Sequence, residues 1–515
     1  MVIEDDASTA GAPGRQRDIE EQGRLARSGR AAGEASAPQV REQDPPPAIA
    51  WWILAGVAAA AGALLVSELA PLCVDDDYRT FWAWWWWHHP SFYPFPHWPP
   101  GYFWVYGIVT GVTGDLLLAP RLLSLALHVA LIAPLRWSLA LPEDERLVAA
   151  VWLMLSPLPL VLGAVPLSET LFAALAVGGV IALGSYLSSG RAAWLLASAA
   201  LYLGAATVRF EGWALLPLFT GLSCLRRPHD AKPAIAWVLR GLPWVFPLAW
   251  ILLMWGVEAD PLLFMKNVAT DSFGRGSLTG ALASPRDWMT PVQVLGGLAA
   301  AGWAVREAAR RRLDVRDLVW EAHLVAALAV VAWAVISGNV PSQFTLRLLL
   351  LPVIFSAVPA ARLLVSFSPR TLRTSVLLAA LLLAGTLALA AHREPGWDPD
   401  SHEAAEYVRD ARDGGVLGPE DRVLVEMDNP WTSAVFVYAN DPRRVHIDLT
   451  KESAWFESCD MNVPRWASRT RLAVVRSDPY LYRLDLLGWK QVLRTDTWVV
   501  YQRTDLSTPL GSCPR

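Results

Sequence analysis

The sequence predicts an α-helical polytopic membrane protein with a small soluble α/β domain at its C-terminus, and three observations carry that prediction. Of its 515 residues, 54% are hydrophobic, and they gather in repeated runs close to the ~20 apolar residues that a hydrocarbon core requires. The stretch 374–391, TSVLLAALLLAGTLALAA, holds no charge at all, whereas a soluble helix keeps one polar face. From residue 393 the apolar runs shorten and charges recur every few residues. A formal net charge of −4 offers nothing to attract nucleic acid.

Three regions follow: a disordered cytoplasmic tail over 1–48, a transmembrane domain over 49–392 and an extracytoplasmic α/β domain over 393–515. The tail is rich in Ala, Gly, Arg, Glu, Asp and Pro and lacks apolar periodicity, the composition of a chain that buries no core. The first apolar run is too long for a signal-peptide core, so it reads as a retained anchor. Apolar runs lie at 50–72, 116–135, 147–165, 168–187, 192–209, 212–225, 234–256, 290–306, 319–337, 347–366 and 374–391, about eleven spans, several of them short. Two regions are split by polar pairs, Ser168–Glu169 and Arg209–Glu211, which predicts helices that break or re-enter at a cavity. Arg and Lys concentrate in 226–232, 306–316 and around Arg362, Arg370 and Arg373, which assigns those connections to the cytoplasm. The first loop (73–103), Ser168–Glu169, Arg209–Glu211, 257–289, 338–346 and the C-terminal domain then face the other side.

In the C-terminal domain, 401–413 has helical spacing behind a Ser cap. The segments 422–426, 444–447, 472–476 and 498–502 read as strands, and 478–489 reads as a helix. No phosphate loop, nucleophile elbow or HExxH motif occurs there, so the domain is expected to bind or support. The cysteines Cys73, Cys224, Cys459 and Cys513 form no CxxC pair, and metal binding through sulfur is not expected. Cys459 and Cys513 are either a disulfide or two thiols.

Chemistry concentrates in the first loop, CVDDDYRTFWAWWWWHHPSFYPFPHWPPGYF (73–103), where Asp75, Asp76 and Asp77 follow an apolar run and precede a Trp-rich stretch. Carboxylates are costly in hydrocarbon and Trp favours the headgroup layer, so the segment should lie along the membrane surface with its acids toward a wet cavity. Such a carboxylate is either a general base for an acceptor hydroxyl or a helix-start acid. The Trp run reads mainly as a surface anchor, and His88, His89 and His97 lack the paired spacing of a metal site. Glu169, at membrane depth, needs a partner unless Ser168 and Glu169 only cap a helix. Arg209, Arg347, Lys266 and Arg275, with Glu211 beside Arg209, are the cations available to a phosphate on that side. Arg121 is expected to pair with Asp115.

Taken in order, DDDY (75–78), HWPPGYFWVYG followed by APRLLSLAL, LSET (167–170), VRFEG with its Arg209 and Glu211, FTLRLLLLP (344–352) and a C-terminal soluble domain resemble the GT-C class of integral membrane glycosyltransferases, across about residues 50–392. The LSET and VRFEG motifs look most like its mannosyltransferase branch. The resemblance implies transfer of a sugar from a polyprenyl-phosphate donor to an acceptor hydroxyl on a glycan, lipid or protein, at the extracytoplasmic face of the cytoplasmic membrane. It implies Asp76 or Asp77, with Asp75 alongside, as base, Glu169 as assistant, Arg209 and Arg347 at the donor phosphate, and Tyr78, His97, Trp98 and Glu211 near the substrate. If a divalent cation (Mg or Mn) takes part, Asp76, Asp77 and Glu169 are its candidate ligands. A transporter or flippase of a lipid-linked solute, or a ligase joining polymer to lipid, are the alternatives; the internal repeat of broken helices expected of a transporter is not evident.

Overall fold

The computed structural model describes residues 48–67, 74–92, 98–261, 289–310, 314, 318–337, 345–367, 371–390, 399–426, 430–448, 470–476 and 489–503. The site candidates His97, Lys266 and Arg275, the helix expected over 478–489 apart from its last residue, and Cys73, Cys459 and Cys513 lie outside the described residues; Trp489 opens a strand rather than ending that helix. The chain is a multi-pass membrane protein, and all eleven apolar runs are largely helical. Among the described residues, five helices are long and apolar enough to span unaided: Ala48–Val66, Leu118–Arg136, Ser168–Ser189, Pro233–Glu258 and Val319–Ile336. Two bent pairs raise that to seven. The other runs are helical but fall short in length or apolarity, so the expected eleven spans are eleven helical runs of unequal reach.

Both bends have a proline cause. Glu143–Leu155 and Pro157–Gly163 meet at 60°, and Ser156 between them is extended, with φ −60 and ψ 135. Proline disfavours the helical region for the residue before it, and Ser156 precedes Pro157. Leu346–Phe355 and Ala357–Phe367 meet at 51°; Pro359 has no N–H to give the Phe355 carbonyl four residues earlier. The breaks expected at the polar pairs are also present, since helices start at Ser168 and Glu211 and another ends at Val208.

Among the described residues, the C-terminal α/β unit has five strands, β1 (Arg422–Glu426), β2 (Val445–Asp448), β3 (Thr470–Arg476), β4 (Trp489–Arg494) and β5 (Trp498–Arg503), in the order β2-β1-β3-β5-β4. The β2-β1-β3 part is parallel and β3-β5-β4 antiparallel. The helix Pro430–Ala439 carries the chain from β1 to β2, as a parallel pair requires. Helix Pro399–Asp413 begins before Ser401, whose hydroxyl accepts the Trp498 Nε1–H at 2.8 Å rather than capping. β4 and the Pro430–Ala439 helix were not anticipated.

The acidic segment is a helix, Val74–His88, lying between this unit and the membrane helices. Residues four apart share a helix face, so Asp75 and Arg79 look one way and Asp77 and Phe81 another. Phe81 joins one hydrophobic core with Leu116, Leu117, Val423, Val435, Phe436 and Leu472. The ring centroids of Phe81 and Trp84 lie 5.2 and 5.0 Å from that of Phe436. Burying each such ring contributes about 1.5–3 kcal/mol. Trp82, Trp84 and Trp85 are partly buried against this core, a protein contact that the surface-anchor expectation did not include, while Trp87 stays exposed.

Candidate functional site

Four separate stretches bring their charges together beside Asp75. Arg347, in the turn Thr345–Leu349, donates from Nη1 to Asp75 Oδ2 at 2.5 Å and lies 4.0 Å from Glu169 Oε1. Arg209 Nη1 is 2.5 Å from the same Glu169 oxygen. Arg209 also grips Glu211 as a fork, Nη2 to Oε1 at 2.5 Å and Nε to Oε2 at 3.2 Å, a geometry its planar guanidinium favours. The Ser168 hydroxyl accepts from Arg209 Nη1 at 3.0 Å and donates to Glu169 Oε2 at 3.1 Å. The N-cap position is Leu167, so Ser168 is the first helical residue and not the cap, and its hydroxyl joins the charge network instead. Glu169 is buried, as is Asp75.

Arg79 is a member of this cluster that the sequence reading missed. It is buried, its guanidinium sits 4.0 Å from the Trp98 ring centroid, and its Nε has no hydrogen-bond partner. Burial lowers its pKa, against the opposing pull of Asp75 and Glu169. A buried arginine stacked on an aromatic face, with a donor still free, is prepared for an incoming anion. Tyr78 stands edge-on to Trp98 at 5.7 Å, so these two predicted substrate-side aromatics do meet, next to Arg79. The spacing Asp75–Arg79 was the available signal, because it sets both on one helical face.

Asp76 and Asp77 form a second grouping. Asp76 Oδ1 accepts the Asp77 backbone N–H at 2.8 Å, and Thr80 donates to the Asp76 carbonyl at 2.7 Å. Both carboxylates are buried, and Asp77 Oδ1 has no hydrogen-bond partner. Burial and the adjacent Asp76 push the Asp77 pKa well above the carboxylate range, with Arg121 pulling the other way. Burial also acts to raise Asp75, but Arg347 and Arg79 outweigh it and hold that carboxyl below its ordinary value. Neighbouring acids thus have opposite protonation tendencies because they face different partners.

Arg121 does not pair with Asp115. It donates from Nη1 to the Leu117 carbonyl at 2.9 Å and from Nη2 to the Tyr438 hydroxyl at 3.3 Å. Asp115 instead accepts the Leu117, Leu118 and Ala119 amides at 2.8, 3.0 and 3.2 Å, capping the helix that carries Arg121. Among the described residues no group of three or more His, Cys, Asp or Glu side chains is placed to hold a metal ion. Glu169 is engaged by Arg209 and Arg347, so Asp76, Asp77 and Glu169 do not fit as a shared ligand set.

A bundle of unequal, partly broken helices, an acidic helix in the first loop and a C-terminal α/β unit define the GT-C type of membrane fold. The structure is similar to that of ArnT from Cupriavidus metallidurans bound to undecaprenyl phosphate, with a TM-score of 0.56 and 16% sequence identity over 90% of this chain and 100% of that one. It is similar also to ArnT of the same organism in the apo state, with a TM-score of 0.55 and 15% identity over 88% of this chain and 98% of that one. No family model and no curated protein matches the sequence.

Proposed function

We propose that the protein is a membrane glycosyltransferase that moves a hexose, mannose on the motif resemblance, from a polyprenyl-phosphate carrier to an acceptor hydroxyl on a glycan, lipid or protein at the extracytoplasmic face. The observation that carries this reading is the convergence of Arg209 and Arg347, with Arg79, on Asp75 and Glu169, with the Asp76–Asp77 pair next to Asp75 on the same helix. The ArnT structure with undecaprenyl phosphate supports a polyprenyl-phosphate partner for the shared fold. The N-terminus is cytoplasmic in this reading, and residues 393–515 are an extracytoplasmic domain.

The Asp76–Asp77 pair takes the proton of the acceptor hydroxyl, and the oxygen attacks the anomeric carbon. The bond from that carbon to the phosphate oxygen breaks, and its electron pair leaves with the lipid phosphate. The donor phosphodiester carries one charge, whereas the leaving monoester gains a second with a pKa near 6. Three guanidiniums aimed at that oxygen therefore act most strongly as the bond breaks. Asp75 holds the Arg347 guanidinium, Glu169 and Glu211 hold that of Arg209, and the Trp98 ring backs that of Arg79. One base and a single displacement give inversion.

The test is transfer of radiolabelled sugar from polyprenyl phosphate by the protein in proteoliposomes. Asp76→Asn and Asp77→Asn, singly and together, should reduce transfer by about 10²–10⁴, the usual worth of a general base. Full transfer by all three variants would remove the base assignment. A wild-type protein that consumes no polyprenyl-phosphate sugar would overturn the transferase reading in favour of solute transport.

A further inference from the structure

Arg121 and Tyr438 take no part in the mechanism above, yet both are buried to 1% exposure, side by side. Withdrawing a guanidinium from water costs several kcal/mol unless charge of opposite sign compensates it. The hydrogen bonds it donates, to the Leu117 carbonyl and the Tyr438 hydroxyl, go to neutral groups. Phe81, one turn after Asp77 on the same helix face, shares a hydrophobic core with Leu117 and Tyr438, the two residues that hold Arg121. After Tyr438, it is Asp76 and Asp77 whose charges favour the charged guanidinium. The arginine thus belongs electrostatically to the acid pair while being held in place from elsewhere.

Tyr438 is what holds it, from 317 residues further along the chain. The tyrosine sits in the last turn of the Pro430–Ala439 helix, whose Phe436 packs on Phe81 and Trp84 of the acidic helix. The next residue but one, Asn440, adopts φ 49 and fastens the same helix end to the membrane domain. Its Oδ1 accepts the Leu116 N–H at 2.8 Å, and its Nδ2 donates to Asp115 Oδ1 at 3.2 Å. The His402 ring lies 4.7 Å from that of Tyr438. A phenol fixed on a packed helix with its end tied down is located far more closely than one on a loop.

We infer that Tyr438 and Arg121 are positioning residues for the transfer reaction: the phenol orients the guanidinium toward the Asp76–Asp77 pair, and the C-terminal α/β unit thereby completes the acidic half of the site. This inference rests on the transferase reading. It gives the C-terminal unit, which carries no catalytic motif of its own, a direct bearing on the chemistry.

Tyr438→Phe keeps the ring and its packing and removes only the hydroxyl. In the proteoliposome assay it should lower kcat by about tenfold, the loss of one hydrogen bond to a charged group, with the donor KM unchanged within about twofold. Arg121→Gln should lose about a hundredfold or more, and Arg121→Lys, which restores the charge without the fork, should recover about a tenth of wild-type activity. Should Arg121→Gln fail to fold, Tyr438→Phe decides alone. A Tyr438→Phe protein that melts earlier but turns over at the wild-type rate assigns the pair to domain packing and overturns the inference, leaving the transferase reading intact. A wild-type protein with no transfer activity overturns both.

Discussion

Asp75 and Asp77 are two residues apart and are expected to act on stability with opposite signs. Asp75 is held below its ordinary pKa by Arg347 and Arg79 against the effect of burial, so folding favours its charged form. That contribution is complete above the unfolded carboxylate pKa of about 4 and is lost as pH falls through the lower folded value. Asp77 is raised by burial and by Asp76, so folding favours its neutral form, and it weakens the fold as pH climbs from about 4 toward the folded value. At pH 7, Asp75→Asn should therefore lower the melting temperature in detergent micelles, and Asp77→Asn should raise it while reducing transfer. An earlier melt for Asp77→Asn at pH 7 would contradict this assignment. An acid retained at a cost to the fold is the familiar trade between stability and activity. The sequence displayed three acids in a row, but their division between two sets of partners depends on Arg347 lying 272 residues away and could not be read from the triplet.

The acidic helix holds its place against Gly101–Thr113 through glycines. A Cβ at Gly107 would lie 2.5 Å from the Ala83 carbonyl oxygen and 2.7 Å from the Trp86 ring, and one at Gly111 would lie 2.1 Å from the Trp87 ring. Gly107 and Gly111 are four residues apart, on one face, where small residues let helices approach closely. At Gly111 the obstacle is a side chain, but at Gly107 it is backbone, which rotamer changes cannot relieve. Gly107→Ala should cost about 1–3 kcal/mol, as overpacking does, and should reduce transfer by displacing Asp75 to Asp77. Thermal melting and donor turnover of that one variant test both; a wild-type melting temperature would show that the helix shifts without strain. The GxxxG spacing stood in the sequence, but its use against a Trp-rich helix did not. That helix reads in isolation as an interfacial anchor because its aromatic composition is the same whether lipid or a protein domain covers it.

For the molecule as a whole, the apolar runs were the most legible feature, because hydrocarbon permits only helices or closed barrels there and fixes their length. The bends at Ser156 and Ser356 follow from prolines visible in the chain. Less legible was the C-terminal unit, where strand β4, WKQVLR, lies beside β5 alone at the sheet edge and alternates too weakly to announce itself. Helix Pro430–Ala439 is apolar because it is buried between the sheet and the acidic helix, so it carries no amphipathic stripe. Orientation is a molecule-wide expectation, resting on arginines near Arg226 and Arg306 being retained in the cytoplasm. It is tested by replacing the four cysteines with serine and placing single cysteines at two exposed sites, His229→Cys and Glu420→Cys. A membrane-impermeant maleimide applied to intact cells should label Glu420→Cys and should reach His229→Cys only after permeabilisation. Labelling in the reverse order would turn the acidic helix toward the cytoplasm. An acid and arginine site on that side would meet a polyprenyl-linked sugar before its translocation, and the acceptor would have to be a cytoplasmic one.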